Sequence, residues 1–220
     1  MTLMRTGGLA ALLCAATYMA GFALLLTVLA PLGFGTSQID ASAVVSFIDA
    51  RPAVLMVWNG LIYVLNALAL AVLVVALAQV LGRAVPGWAA VTQALGLIWS
   101  ALVLGAGMIA NVAVERAALL YPADPHGAAE LWATLHAVEL GLGGGNEIAG
   151  GVWIACVSIA GAIGQVLSRP IAALGVLTGL GGLATVVPAL GDAAGALFGL
   201  GAIAWFLAIG ATLLWRAEAV

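Results

Sequence analysis

The 220-residue chain is 65% apolar and 7% charged, with a mean hydropathy of +1.24. Soluble domains carry about 25% charged residues, so this chain cannot cover a folded surface with groups that water solvates, and a bilayer is its solvent. Six arginines, no lysine, nine carboxylates and two histidines give a net charge of −3 and no basic patch for nucleic acid.

Read from the N-terminus, Met1 to Thr6 precede an apolar stretch that ends at Leu32. The charge order is that of a signal peptide, but the apolar stretch exceeds the roughly 7–15 residues of such a segment. No clear A-x-A cleavage site follows it, and it reads as a retained span over 8–32, ended by Gly33, Gly35 and Ser37. Segment 40–50 places Val44, Phe47 and Ile48 on one helical face and Ser42, Ser46 and Asp49 on the other, the pattern of a short amphipathic helix on the membrane surface.

A second span is predicted over 53–80, ended by Arg83 and Pro86, and a third over 88–112. The stretch from Tyr121 to Gly127 is a turn-rich break, followed by a second amphipathic segment over 128–140. Three more spans follow: 147–167, ended by Arg169-Pro170; 171–190, ended by Gly191-Asp192; and 195–215. Each has about the 20 residues a helix needs to cross the hydrocarbon core, and each helix satisfies its own backbone in lipid. The alternating segments of a β-barrel are absent. The expected fold is all-α: a single polytopic membrane domain over 1–220, a six-transmembrane-helix bundle with short amphipathic segments on its outer face.

With six spans, Arg5, Arg83, Arg169 and Arg216 share the side of the termini, against Arg51 and Arg116 on the other. The positive-inside rule then makes the termini cytoplasmic. The carboxylates agree: only Glu218 of the nine falls clearly inside. Trp88 and Trp215 fall where an inner aromatic belt belongs, Trp58 and Trp132 where an outer one belongs. Cys14 and Cys156 lie in apolar runs and read as free thiols, small hydrophobes in character.

Polar residues at membrane depth are costly and face protein or water. Asn59, Tyr63 and Asn66 form one stripe; Gln93, Gly96, Ser100, Gly107 and Asn111 form another, continued by Glu115; Glu147, Gly151, Ser158, Gly161 and Gln165 form a third. Small and polar residues of this kind also glue helices together, at about 0.6–2 kcal/mol per hydrogen bond. Gly175-x-x-x-Gly179 and Gly195-x-x-x-Gly199 have the same use. Gln79-Val-Leu-Gly-Arg83 resembles Gln165-Val-Leu-Ser-Arg169, 86 residues later, as either a parallel duplication or a chance match in an Ala/Leu/Val-rich chain.

If a helix continues through the glycines of 141–145, then His136, Glu139, Asn146 and Glu147 fall within roughly one 100° arc. At about 1 kcal/mol per glycine, a kink there is the equal alternative. A candidate ligand-binding set is therefore Asn59, Tyr63, Asn66, Asn111, Glu115, His136, Glu139, Asn146 and Glu147, grouped at the outer ends of spans two to four. His136-x-x-Glu139 with Glu147 is a weak metal alternative: a di-metal carboxylate site wants paired Glu-x-x-His motifs, and the other histidine, His126, is in a loop. No metal and no cofactor are expected. Walker, HExxH, CxxC and G-x-S-x-G motifs are absent, and no span carries a lysine for a Schiff base.

The six-span plan, Arg5, and the turns Arg83-Ala-Val-Pro86-Gly-Trp88 and Arg169-Pro170-Ile-Ala-Ala-Leu-Gly175 resemble a family of small bacterial membrane proteins of unknown function. The resemblance implies the fold and assigns no residue a role. The leading functional expectation is a non-enzymatic membrane protein whose outward-facing polar pocket binds a small ligand or ion, in transport or sensing. Two alternatives stand beside it: a membrane-embedded enzyme, with or without a metal, using Glu115, His136, Glu139 and Glu147, and an accessory subunit of a larger complex. Expected partners are the lipid bilayer, a small ligand or ion, and a second copy or another membrane protein.

Overall fold

The computed structural model describes residues 2–36, 39–144 and 147–218. Every regular element among them is helical: α1 (Leu3–Leu24), α2 (Ala41–Ala50), α3 (Pro52–Asn59), α4 (Asn66–Gly82), α5 (Pro86–Leu120), α6 (Pro125–Glu139), α7 (Ile148–Ile163), α8 (Arg169–Ala184) and α9 (Gly191–Glu218). The protein is an all-α, multi-pass membrane protein. Among the described residues, five stretches are long and apolar enough to cross a bilayer: Leu3–Leu32, Pro52–Gly82, Pro86–Leu120, Pro125–Ile163, which runs across the break between α6 and α7, and Ala193–Glu218.

The difference from the expected six lies in the segment over 171–190. Helix α8 has 16 residues, about 24 Å at 1.5 Å per residue, short of the roughly 30 Å hydrocarbon core. It stops at Ala184 because Pro188 has no N–H to bond the Ala184 carbonyl four residues back. Thr185, Val186 and Val187 instead bond three residues back, to Gly182, Leu183 and Ala184.

At 35 residues, α5 is about 52 Å long and overshoots the hydrocarbon core. Its projecting turns carry Ala113, Val114 and Ala117, small residues that pack against Val44, Val45 and Ile48 of α2, Leu55 and Trp58 of α3, and Ala128, Ala129 and Trp132 of α6. Caps fix the starts of the two outlying helices: Asp40 accepts from the N–H groups of Ser42 and Ala43, and Asp124 accepts from that of Gly127 before Pro125 opens α6. Such side chains satisfy donors that a helix cannot bond internally. Trp58 and Trp132 are only 8% and 4% exposed, which corrects their assignment to an outer aromatic belt. Trp88 and Trp215 are exposed, at 43% and 76%.

The main core lies between α1, α4, α5, α7 and α9, where Trp99, Trp153, Trp205, Phe198 and Phe206 are fully buried. Asn66 donates to Thr17 Oγ1 at 2.7 Å, Ser100 to the Ala67 carbonyl at 2.7 Å, and the Trp205 indole to Ser158 Oγ at 3.1 Å. Helices α7 and α8 approach closely through glycine: a Cβ on Gly151 would press on the Gly179 carbonyl, and one on Gly175 would collide with the Ser158 hydroxyl.

Both termini lie at one end of the bundle. The Arg216 guanidinium donates to the Val166 carbonyl at 2.6 Å, and Met4, Arg83, Val166 and Arg216 line one small cavity. The two Gln-Val-Leu segments differ in conformation. Gln79 is inside α4, whereas Gln165 sits in the turn after α7 with φ 54°, where Val166 and Leu167 both bond back to the Gly161 carbonyl.

Candidate ligand-binding cavity

Three helices widen into π-helical turns: Leu25–Leu29, Gly60–Leu65 and Leu140–Gly144. A π turn inserts an extra residue per turn and often marks a functional site. The third turn is also a kink, because Gly143 has φ 128°, a conformation that only glycine adopts without strain. It ends the continuity of α6 and α7.

Leu25, Ile62, Tyr63, Leu140 and Gly143 from these turns line one cavity of about 590 Å³, away from the chain termini. Tyr18 and Phe22 of α1, Trp58 and Asn59 of α3, Val103 and Ala110 of α5, and Gly195 of α9 line it too. Trp132, His136 and Glu139 of α6 contribute as well, with Glu147 immediately before α7.

A buried network runs through α6. The Tyr63 hydroxyl donates to Glu139 Oε1 at 2.6 Å, and His136 Nδ1 lies 2.8 Å from Glu139 Oε2. Glu139 is 3% exposed, and an ionised carboxylate at that depth needs such donors. With Glu139 ionised, Nδ1 carries the His136 proton, because a carboxylate only accepts. The imidazole stacks on Trp132 with ring centroids 4.7 Å apart and an interplanar angle of 16°. Phe34 closes this wall, with its centroid 5.6 Å from Trp58, 6.0 Å from Trp132 and 6.1 Å from His136.

Like the Tyr18 hydroxyl, Asn59 and the Glu147 carboxylate line the cavity without a hydrogen-bond partner among the described residues. The Asn59 side chain is buried at 4% exposure and makes no hydrogen bond. Glu147 bonds only through its backbone, its N–H donating to Thr185 Oγ1 at 3.1 Å, and its carboxylate takes no hydrogen bond or ion pair. None of the six arginines lines the cavity.

Of the residues singled out in the sequence, Asn59, Tyr63, Asn66, His136, Glu139 and Glu147 line this cavity. Asn66 is tied to Thr17 and the Cys14 carbonyl, so its amide serves helix contact. Glu115 is exposed on α5, and Asn111 does not line the cavity; its buried Oδ1 has no hydrogen-bond partner. On α5 the cavity faces Val103, Ala110 and Val114, a stripe about 100° around the helix from Asn111. Asn146 lies outside the described residues. Among the described residues no three His, Cys, Asp or Glu side chains are grouped to hold a metal, so His136, Glu139 and Glu147 do not form the weak metal alternative; both Glu139 oxygens already serve Tyr63 and His136.

Sequence reasoning missed Tyr18, Phe34, Trp58 and Trp132 as cavity residues. A signal existed for Trp132, which with His136 and Glu139 has i, i+4, i+7 spacing on one helical face. Phe34 sits in a loop between Gly33 at φ 82° and Gly35 at φ 79°, where no periodicity announces it. Comparison with protein-family models, with curated proteins and with solved structures found no match.

Proposed function

We propose that this is a non-enzymatic integral membrane protein that takes a small ligand or ion into the cavity between α1, α3, α5, α6 and α9, for transport or sensing. The observation that carries the reading is the pair of unpartnered polar groups, Asn59 and Glu147, on the wall of a 590 Å³ cavity. Cavities of roughly 300–1,000 Å³ with a few convergent polar groups among aromatic walls are the usual small-molecule sites, and buried polar groups ordinarily have partners.

In this reading the chain crosses the bilayer six times, with α8 as the short sixth crossing. Supporting it, α7 ends beside Arg216 at the terminal end, while Thr185, just after α8, meets Glu147 at the start of α7. A short helix is accommodated by local bilayer thinning. The arginine bias makes the terminal end cytoplasmic, so the cavity belongs to the outer half of a bacterial inner membrane. The resemblance of the Arg-Pro turns to small bacterial membrane proteins is consistent with that setting.

The test is a thermal-shift screen of the purified full-length protein in detergent against inorganic ions and small organic cations, anions and neutral polar molecules. At least one class should raise the melting temperature of the wild type and leave Gly195→Leu unmoved. Gly195 lines the cavity and a Cβ there meets nothing within 4 Å, so a larger side chain at this position starts out into the open space. A wild type unmoved by every class defeats the proposal.

A further inference from the structure

We infer that the ligand is an organic cation, an ammonium group carrying apolar substituents; this rests on the ligand-binding reading above. Charge is the first argument. The cavity wall carries two carboxylates, Glu139 and Glu147, and no arginine, and the chain has no lysine. Glu139 is already held by Tyr63 and His136, whereas the Glu147 carboxylate has no hydrogen-bond or ion-pair partner among the described residues. An ionised carboxylate away from water is costly unless it is paired, so a cation entering beside Glu147 supplies what the protein omits. An unpaired buried carboxyl otherwise avoids that cost by holding a proton, so a cation lets Glu147 ionise against a counter-charge, whereas an anion or a neutral molecule supplies none.

The walls are the second argument. Trp58, Trp132, Phe34, Tyr18 and Tyr63 line the same space, and ring faces attract ammonium groups. Size is the third: 590 Å³ is far larger than the share of liquid volume a single water occupies, about 30 Å³, so a bare inorganic ion would leave the aromatic walls unfilled. The Asn59 carboxamide, 96% buried by its 4% exposure and unpartnered on this wall, can hydrogen-bond a polar substituent of the ligand.

The experiment is titration of the full-length protein in detergent, followed by tryptophan fluorescence and calorimetry, with molecules that share a shape and differ in charge. Choline and benzyltrimethylammonium are the cations; 3,3-dimethylbutan-1-ol and 3,3-dimethylbutanoate are the neutral and anionic isosteres of choline. At least one cation should bind about tenfold or more tighter than both isosteres, Glu147→Gln should weaken it by a similar factor, Gly195→Leu should abolish it, and Glu115→Gln should leave it unchanged. Equal or tighter binding of the neutral or anionic isostere overturns the inference, as does cation binding indifferent to Glu147→Gln. If another class binds the wild type and Gly195→Leu blocks it, the cavity remains a binding site and only the cation assignment falls. If no class binds, both fall.

Discussion

The Tyr63 hydroxyl donates a 2.6 Å hydrogen bond to Glu139 Oε1 across 76 positions of sequence. It joins the π turn before α4 to the last turn of α6, so the donor and the carboxylate define the cavity wall together. Tyr63→Phe leaves the buried carboxylate with His136 alone. A hydrogen bond to a charged group contributes about 1.5–3 kcal/mol, so unfolding in mixed micelles should show a loss of that size. In a Glu139→Gln background the same substitution should cost clearly less, because the charge that strengthens the bond is gone.

The two small-residue pairs in α8 and α9 should respond in opposite directions. A Cβ on Gly175 collides with Ser158 and the Trp205 indole, so Gly175→Ala should destabilise by about 1–3 kcal/mol, the usual cost of overpacking. Gly195→Ala meets open space and gains up to about 1 kcal/mol of helix propensity. Melting temperatures of the two variants in one detergent should move down and up respectively.

The kink between α6 and α7 can be separated from the space around it. A Cβ at Gly141 or at Gly143 meets nothing within 4 Å, but only Gly143 has a positive φ, 128°. Gly143→Ala should therefore cost about 1–3 kcal/mol of backbone strain, and Gly141→Ala should fall within about 0.5 kcal/mol of wild type. Equal melting temperatures would mean that the kink does not depend on the glycine.

Labelling from one side of the membrane tests the topology. In a background lacking Cys14 and Cys156, cysteines placed at Arg5 and Arg169 should be protected from an impermeant maleimide added to intact cells. A cysteine at Glu130, on the exposed face of α6, should react. Reversal of that pattern would invert the orientation, and labelling of cysteines placed at Arg169 and Arg216, which flank α8 and α9, from opposite sides would remove α8 as a crossing.

The His136–Glu139 pair was legible in the sequence because a three-residue spacing on a helix is a local property. The same holds for the buried face of α2, where Val44 and Ile48 are fully buried. On α5 the polar stripe from Gln93 to Glu115 runs from the packed core, where Ser100 bonds the Ala67 carbonyl and Gly96 lies against Trp153, to the exposed Glu115, and none of its members lines the cavity. In a bilayer both the lipid face and the core face of a helix are apolar, so periodicity alone gives no direction to the interior. Trp58 and Trp132 show the same ambiguity: an indole at an interfacial depth has the same spacing whether it faces lipid or lies under α2 and Phe34.

By itself, the sequence determined the solvent, the all-helical backbone and the grouping of four arginines toward one side, because composition, internal hydrogen bonding and charge placement are local quantities. Tertiary structure decided where the helices part. The three π turns, the left-handed Gly143 and the loop that carries Phe34 open a cavity that no single segment encodes. The same packing gave the Glu139 carboxylate two partners and the Glu147 carboxylate none among the described residues, a difference between two carboxylates eight residues apart that depends on which distant side chains reach them.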